Sequence, residues 1–204
     1  MGFWKYLFTG FLADITGSPV LRGKQGESLV SGALARLPES EYAVYEDLLL
    51  PSKRGGLTQI DHAVFSRFGI FVVETKNYGG WIFAGKNDRV WTRVLRGGRK
   101  HKFQNPLRQN YKHMQVLREL TGLPPDVFYN IIVFAGDAEF KTPLPDGVIT
   151  RPGNLDGFIA ARQNTALSES QVNNAIAAVL GNTGQFIPEE KRRHIRNLRE
   201  KYKK

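Results

Sequence analysis

Two consecutive apolar segments constrain the fold of this chain more than any other feature. Residues 58–66 and 69–76 are rich in β-branched and aromatic side chains, and only a short turn separates them. This pattern predicts two antiparallel strands joined as a hairpin. Further strands are predicted at residues 42–50, 81–84, 89–95 and 127–134, the last of these a continuous apolar run that is typical of a buried strand.

Helices are predicted on both sides of this group of strands. Within residues 26–37, apolar side chains recur with the helical spacing i, i+3, i+4, i+7. A second helix is predicted from the asparagine–proline pair at residues 105–106 to about Leu120, and a third over residues 168–180, which begin with a capping box. The order helix–strand–strand–strand, then helix–strand, predicts an α/β or α+β domain with a mixed sheet flanked by helices.

Positive charge is concentrated in one internal block and in the C-terminal tail. The 204 residues carry 29 Lys and Arg against 19 Asp and Glu, which gives a net charge of +10. Residues 89–118 hold nine basic residues and no carboxylate, and residues 186–204 hold eight against three. Such a block is the electrostatic footprint expected of a protein that binds a phosphate backbone. A solvated basic face that only aids solubility would have the same composition.

The remaining composition limits the chemistry and the number of domains. Without cysteine, the chain has no disulfide scaffold, thiolate metal site or cysteine nucleophile. Its length suits one domain plus appendages. We predict a core over residues 24–150 and a helical C-terminal extension with a basic tail over residues 151–204. Residues 1–23 would form an apolar helix packed on the domain, or an anchor whose residues 1–15 contact a membrane surface. We expect a cytoplasmic protein, either free or associated with the membrane through that segment.

Four charged side chains interrupt the apolar patterns of the first helix and the hairpin. Glu27 lies on the apolar stripe of the helix, because it precedes Val30 by three residues. Asp61 lies within an otherwise apolar strand. Glu74 and Lys76 end the next strand two residues apart, so both project to the same side. A core-facing carboxylate is costly unless a partner compensates it, so these residues form either a buried ion-pair network or a functional site.

The chemistry of this set suits the cleavage of a phosphodiester. Mg²⁺ prefers oxygen ligands and is held by one or two carboxylates together with water and substrate phosphates. Asp61 and Glu74, on neighbouring strands, could supply these carboxylates, and Glu27 and the main-chain carbonyl of Thr75 could add ligands. Lys76 would orient the attacking water and stabilise developing negative charge.

Side chains downstream of the hairpin complete the predicted site. Gln109, on the helix after the basic block, could hold a phosphate or the attacking water. Seven basic residues are candidates for contact with nucleic acid, namely Arg93, Arg96, Arg99, Lys100, Lys102, Arg108 and Lys112. Trp81, Trp91 and Phe103 flank this block, and packing in the core or sheet is favoured for them over stacking on exposed bases. His62 is expected on the face opposite Asp61, as a packed and hydrogen-bonded histidine.

Several short motifs together resemble the NERD (nuclease-related) domain. They are Gly26-Glu27, residues 58–62 (TQIDH), residues 69–80 (GIFVVETKNYGG), Trp91 and residues 105–109 (NPLRQ). The resemblance covers roughly residues 24–121. NERD is similar to a branch of the PD-(D/E)xK nuclease superfamily, which implies a restriction-endonuclease-like core of a helix, three strands, a helix and a strand.

The resemblance implies a role for each candidate residue. Asp61, Glu74 and Lys76 match the superfamily's Asp, Glu and Lys positions. Glu27 matches an additional acidic residue on the first helix, and Gln109 resembles a glutamine that some branches use near the site. In the related RecB-like branch a tyrosine often follows that glutamine by four residues, whereas position 113 here is histidine. The resemblance implies a nuclease that depends on Mg²⁺ or Mn²⁺, with DNA favoured over RNA as its substrate.

Two other functions remain open at the level of sequence. A non-catalytic nucleic-acid-binding module would keep the fold and the charge without hydrolysing its ligand. A membrane-surface scaffold would use residues 1–15 and the basic tail to bind anionic lipid.

Overall fold

The predicted hairpin forms the centre of the larger of two sheets. The structure, a computed structural model, describes residues 19–53 and 55–183. Two predictions lie outside these residues, namely the packed helix or membrane anchor that includes residues 1–15 and the basic tail of the C-terminal extension. The elements in chain order are α1 (Pro19–Leu34), β1 (Tyr42–Pro51), β2 (Leu57–Ser66), β3 (Gly69–Lys76), β4 (Gly80–Phe83), β5 (Val90–Val94), β6 (Lys100–Gln104), α2 (Pro106–Thr121), β7 (Phe128–Phe134), β8 (Ala138–Phe140), β9 (Val148–Ile149), α3 (Leu155–Ala160) and α4 (Glu169–Thr183).

The larger sheet is mixed, as the sequence predicted. Its strand order is β1-β2-β3-β7-β9. β1, β2 and β3 pair antiparallel, and Ser66 opposite Gly69 closes the predicted hairpin. β7 then pairs parallel to β3, and β9 parallel to β7. The predicted core of a helix, three strands, a helix and a strand is therefore confirmed, with β4, β5 and β6 inserted between β3 and α2.

Helices cover both faces of this sheet, which explains the continuous apolar run of β3. Its residues from Ile70 to Val73 are fully buried, as expected of a strand enclosed on both sides. On one face, Ile70 and Val72 pack in a cluster with residues of α2 and α4. On the other, Phe71 and Val73 pack with residues of α1 and α3. The described part of the 151–204 segment thus contributes side chains to both core clusters, while its boundary at residue 150 stays a prediction.

The smaller sheet packs against one edge of the larger one. Its order is β6-β5-β4-β8, with β8 parallel to β4 and the other pairs antiparallel. Trp91 is fully buried and stacks on Phe134 of β7, with ring centroids 6.4 Å apart. Phe103 meets Trp91 edge-on. Packing was the favoured interpretation for three aromatics, and it is confirmed for Trp91 and Phe103. It is wrong for Trp81, which is 50% exposed on the opposite face of the smaller sheet.

α2 begins where the Asn-Pro pair predicted. The Asn105 side chain accepts a hydrogen bond of 2.9 Å from the Leu107 N–H, while its amide donates to the Asp88 carbonyl at 2.8 Å. The cap therefore ties the helix start to the loop that connects β4 and β5. At the other end Gly122 adopts the left-handed conformation, with φ of 69°, and its N–H bonds to the Arg118 carbonyl. These two caps fix the length of the helix that brings Gln109 to the sheet.

α1 begins at Pro19, seven residues before the predicted start, and ends at Leu34 rather than at residue 37. It approaches the ends of β3 and β7 closely at Gly26. A Cβ on Gly26 would lie 2.9 Å from the Asn77 Cβ and 3.3 Å from the Ala135 Cβ, which is too close for any residue but glycine. This approach brings the next residue, Glu27, to the end of β3.

His62 of β2 is buried against α1. It makes a 2.9 Å hydrogen bond with the Ser31 hydroxyl of that helix, which confirms the predicted packed histidine. None of the helices described between residues 19 and 183 is both long enough and apolar enough to cross a membrane.

Candidate functional site

Asp61 lies where the central hairpin opens. β2 and β3 pair from Ser66–Gly69 to His62–Val73. Beyond that pair, the Asp61 carboxylate accepts a 2.8 Å hydrogen bond from the Thr75 N–H through Oδ2. The carboxylate of one strand therefore bonds to the main chain of the next, and Asp61 is held beside residues 74–76.

A backbone irregularity in β1 accompanies this opening. Asp47 has φ of 53°, a conformation that few residues other than glycine, asparagine and aspartate adopt. On either side of it, Tyr45 and Leu48 both belong to the cluster on the α2 side, although they are three residues apart. On β2, the partners of these two residues, Ala63 and Ile60, also both belong to that cluster. Regular alternation along β2 would place Asp61 on the face of Ala63, and this alternation is interrupted at the site.

Glu74, Lys76 and Gln109 form a closed hydrogen-bonded triangle. Lys76 Nζ lies 2.5 Å from Glu74 Oε1 and 3.2 Å from Gln109 Oε1, and Gln109 Nε2 donates to Glu74 Oε1 at 2.7 Å. Glu74 is buried, and Lys76 is nearly so. As the spacing predicted, Glu74 and Lys76 project to the same side, where α2 covers the sheet. Gln109 reaches them from the first turn of α2.

His113 joins the same cluster, although no specific role was predicted for it. Its Nε2 lies 3.3 Å from Glu74 Oε2. This is an ion-pair distance, but the geometry is not that of a hydrogen bond, and Nε2 has no hydrogen-bond partner among the described residues. Its Nδ1 bonds to the Thr58 hydroxyl at 2.6 Å. The four-residue step from Gln109 could have revealed this position, since residues i and i+4 share a helix face.

The carboxyl groups of the site differ in their pKa values. Burial and, second to it, the negative charge of Glu74 raise the pKa of Asp61 to about 7. Burial also opposes the ionisation of Glu74, but Lys76 and His113 outweigh it, so the pKa of Glu74 is lowered. For Lys76, burial is outweighed by the charge of Glu74, so its pKa is raised and it stays protonated. The site thus contains one compensated carboxylate and one that resists ionisation.

Glu27 lies within electrostatic range of this pair rather than in contact with it. Burial raises its pKa, with further contributions from the charges of Asp47 and Glu74. Glu27 in turn raises the pKa of Asp61. The structure therefore brings all the predicted acidic residues to one region, with Asp61 and Glu74 at its centre and Glu27 at its edge.

The donor set is compatible with a hard divalent cation. No group of three or more His, Cys, Asp or Glu side chains within residues 19–53 and 55–183 is arranged as a complete metal site. Mg²⁺, however, needs only one or two carboxylates from the protein and takes its other ligands from water and phosphate. Burial is the main cause of the raised pKa of Asp61 and the neighbouring charge of Glu74 the second, and a cation held by both carboxylates would oppose this shift. Buried Thr75 Oγ1 also lacks a partner among the described residues.

The predicted nucleic-acid contacts fall into three groups. Arg96, Arg99, Lys100 and Lys102 lie exposed on the hairpin of β5 and β6, and Arg108 and Lys112 lie exposed on α2. Arg93 differs from these, because its Nε donates to the Gly79 carbonyl at 2.6 Å and its guanidinium lies 5.1 Å from the centre of the Tyr78 ring. It holds the connection between β3 and β4 against β5, which is a structural contact.

Comparison with known protein families identifies the family of this chain. The sequence profile of the nuclease-related domain, NERD, matches residues 22–135, which is more than half of the 204 residues. The chain belongs to the NERD family. The match begins within α1, includes every predicted acidic site residue and ends just after β7, so the family core coincides with the elements that build the site.

Individual relatives of this NERD chain add little about function. An uncharacterized protein of Bacillus anthracis is 43% identical over 103 residues. The aligned region covers 50% of this chain and 48% of that relative, so the chain spans about half the length of the curated relative it matches. No solved structure matches the chain.

Proposed function

We propose that this NERD protein is a metal-dependent nuclease that hydrolyses phosphodiester bonds in DNA. The observation that carries the proposal is the placement of Asp61 and Glu74 on adjacent strands, with Lys76 Nζ 2.5 Å from Glu74. Two oxygen-donor groups and one protonated amine at the open end of a hairpin provide the charges that this reaction needs. Membership of a family described as nuclease-related supports the same conclusion.

The proposed cofactor is Mg²⁺ or Mn²⁺, held by Asp61 and Glu74 with Glu27 and the Thr75 carbonyl as further candidates. When bound, such an ion polarises the phosphodiester and lowers the pKa of water. The contact between Thr75 N–H and Asp61 Oδ2 holds this carboxylate in place for that role. Glu27 is suited to act at longer range, because its charge influences the pKa of Asp61 without a direct bond.

Lys76 and Gln109 are proposed to act on the reacting groups. The raised pKa of Lys76 keeps it protonated, so it donates hydrogen bonds and does not serve as a general base. It would orient the attacking water and stabilise the negative charge that develops on the phosphate. Gln109 bonds to both Lys76 and Glu74, and it would hold the ammonium group in position or contact a phosphate.

The basic surface around the site is proposed to hold the nucleic acid. The hairpin of β5 and β6 and the exposed side of α2 belong to the block of residues 89–118, which contains nine positive charges and no carboxylate. Asn105 joins the two parts, since it follows β6 directly and caps α2. DNA is proposed over RNA on the basis of the family alone.

A cleavage assay with the purified full chain tests the proposal. Supercoiled, linear duplex and single-stranded DNA, together with RNA, are incubated with Mg²⁺, with Mn²⁺ or with EDTA, beside the Asp61→Ala variant and the surface control Asp146→Ala. Metal-dependent cleavage by the wild type and the control, absent from Asp61→Ala, is the expected result. Cleavage that persists in EDTA or in Asp61→Ala would refute it.

One observation favours a second candidate, a nucleic-acid-binding module without hydrolysis. Glu74 is already compensated by Lys76, Gln109 and His113, so the cluster can be stable as a structural ion-pair network. The same assay separates the two functions. A pure binder cleaves nothing in any lane, and its affinity falls steeply with salt and when Arg96, Arg99, Lys100 and Lys102 are neutralised.

A further inference from the structure

One face of the smaller sheet carries two rows of side chains, each with an exposed aromatic ring at one end and an exposed lysine at the other. Residues directly opposite one another in neighbouring strands share a face. Trp81 of β4 lies opposite Val94 of β5, which lies opposite Lys100 of β6. In the next row, Phe83 lies opposite Thr92, which lies opposite Lys102. We call these two rows the outer face.

The aromatic side chains of the outer face are not part of the core. Trp81 is 50% exposed and Phe83 is 42% exposed, whereas Ile82 between them is fully buried on the inner face. Exposing two aromatic rings costs free energy that burial would recover. Among the described residues, Lys141 lies over the Trp81 ring, with Nζ 5.0 Å from its centroid. Half of the Trp81 surface nevertheless remains accessible.

The spacing of the outer face fits an extended strand of nucleic acid. Trp81 and Phe83 are separated by about 6.7 Å along β4, because a strand rises roughly 3.3–3.4 Å per residue. Lys100 and Lys102 lie two strands away, at about 10 Å given a strand separation of 4.7–4.9 Å. Each row therefore pairs a ring with an ammonium group, so that a base can stack on the ring while a phosphate meets the lysine.

The positive charge around the outer face favours a negatively charged partner. Lys100 and Lys102 belong to the block without carboxylates, and Arg96 and Arg99 continue it at the tip of the hairpin. Glu139 is the acidic residue in register with Trp81, and its charge is compensated by Lys141, which lowers its pKa. A positively charged surface with exposed aromatic rings is the arrangement by which proteins bind unpaired strands. Four-stranded sheets that carry exposed aromatics stack bases in this way in unrelated RNA-binding domains.

We propose that the outer face binds a segment of single-stranded nucleic acid by stacking bases on Trp81 and Phe83. Bases of a duplex are paired and stacked on each other, so they cannot use these rings. The inference rests on the proposed nuclease function where it concerns cleavage, because it assigns an unpaired segment of the substrate to this surface. Trp81 follows Lys76 by five residues, so its Cα lies within roughly 18 Å of the site.

The test measures binding without hydrolysis. Fluorescence anisotropy in EDTA compares a labelled oligothymidylate with a duplex of equal length, using the full chain. Loss of a stacked base weakens binding roughly 5- to 150-fold, so Trp81→Leu and Phe83→Leu should each reduce oligothymidylate affinity by that factor. Duplex affinity should change less than about twofold, because phosphate contacts carry it. Trp81→Phe, which keeps an aromatic ring, should retain most of the affinity.

Val90→Ala provides the matched control. Val90 is 45% exposed and lies beside the outer face, on the same side of the sheet, because it precedes Thr92 by two residues on β5; it has no aromatic ring. If the face acts through stacking, this variant binds like the wild type. Equal loss in Val90→Ala and Trp81→Leu, or unchanged affinity in Trp81→Leu and Phe83→Leu, would overturn the proposal. Binding to phosphatidylserine vesicles that is lost in Trp81→Leu, with oligothymidylate affinity intact, would also overturn it by assigning the face to a membrane.

The outcomes for the two proposals are distinct. A chain that never cleaves, yet binds oligothymidylate through Trp81, refutes the nuclease and supports the outer face. A chain that cleaves DNA with metal, yet binds oligothymidylate equally with and without the Trp81 ring, refutes the outer face alone.

Discussion

Replacing Asp61 with asparagine should stabilise the metal-free protein at alkaline pH while it removes the proposed activity. Asp61 is held beside Glu74, and burial and that charge raise its pKa to about 7 from an ordinary value of 3.8. Below pH 3.8 the carboxyl is protonated whether the chain is folded or unfolded. Between the two pKa values the carboxyl is ionised in the unfolded chain but keeps its proton in the folded chain. The free energy of unfolding therefore falls as the pH rises through this window.

The magnitude follows from the pKa difference. Each pKa unit corresponds to about 1.36 kcal/mol, so the raised pKa of Asp61 lowers the free energy of unfolding by about 4 kcal/mol at pH 8, relative to a pH at which both states are protonated. At pH 5 roughly 2 kcal/mol of this loss has occurred. The asparagine side chain of the variant cannot ionise, and its oxygen can still accept a hydrogen bond from the Thr75 N–H. The advantage of Asp61→Asn should therefore grow by roughly 2–3 kcal/mol between pH 5 and pH 8.

Urea unfolding in EDTA at the two pH values measures this difference. Asp146→Asn is the control, because the Asp146 side chain is 92% exposed and its contact with Lys86 is a surface ion pair. That variant should keep the pH profile of the wild type. Added Mn²⁺ should restore stability to the wild type at pH 8 but not to Asp61→Asn. Parallel pH profiles for the wild type and Asp61→Asn would refute the electrostatic description of the site.

Three further substitutions, one of them with a matched control, test the construction of the site. Gly26→Ala should lower the free energy of unfolding by about 1–3 kcal/mol, since its Cβ would lie 2.9 Å from the Asn77 Cβ. Gly32→Ala, where a Cβ meets nothing within 4 Å, should be neutral or slightly stabilising by urea denaturation. Asn110→Ala should cost about 2–3 kcal/mol in the same assay, because its buried amide donates to two main-chain carbonyls of the central strands. His113→Phe should slow single-turnover cleavage at least tenfold while oligonucleotide binding, measured by anisotropy, stays within twofold. An unchanged cleavage rate would show that His113 has no role in the reaction.

The elements that could be predicted from the sequence are those with a strong local signal. β2 and β3 are defined by apolar runs around a short turn, and α2 begins at an N-cap followed by proline. β6 has the sequence KHKFQ, in which a single apolar residue provides no alternation, so it was not predicted. β8 and β9, of three and two residues, are too short to carry a period. Their pairing depends on strands that are distant in the sequence.

The same distinction applies to the site. Glu74 and Lys76 could be placed together because the two-residue period of a strand is local. The contact of His113 with Glu74 and Thr58 depends on how α2 is rotated against the sheet, and no local pattern specifies that rotation. Arg93 was predicted as a phosphate contact from its charge. It follows the buried Trp91 by two residues on β5, and residues two apart on a strand share a face, so this spacing could have indicated that Arg93 lies on the inner face.

Single-turnover cleavage by the Lys76→Ala variant tests the central claim most directly. The assay uses the substrate that the wild type cleaves and the metal that supports this cleavage. Anisotropy measures binding in the same samples, and circular dichroism checks that the variant is folded. Loss of the ammonium group should reduce the cleavage rate about 100- to 1,000-fold, while affinity for the substrate stays within threefold. Cleavage by Lys76→Ala at the wild-type rate would contradict the account, as would a wild type that binds DNA and cleaves none with either metal.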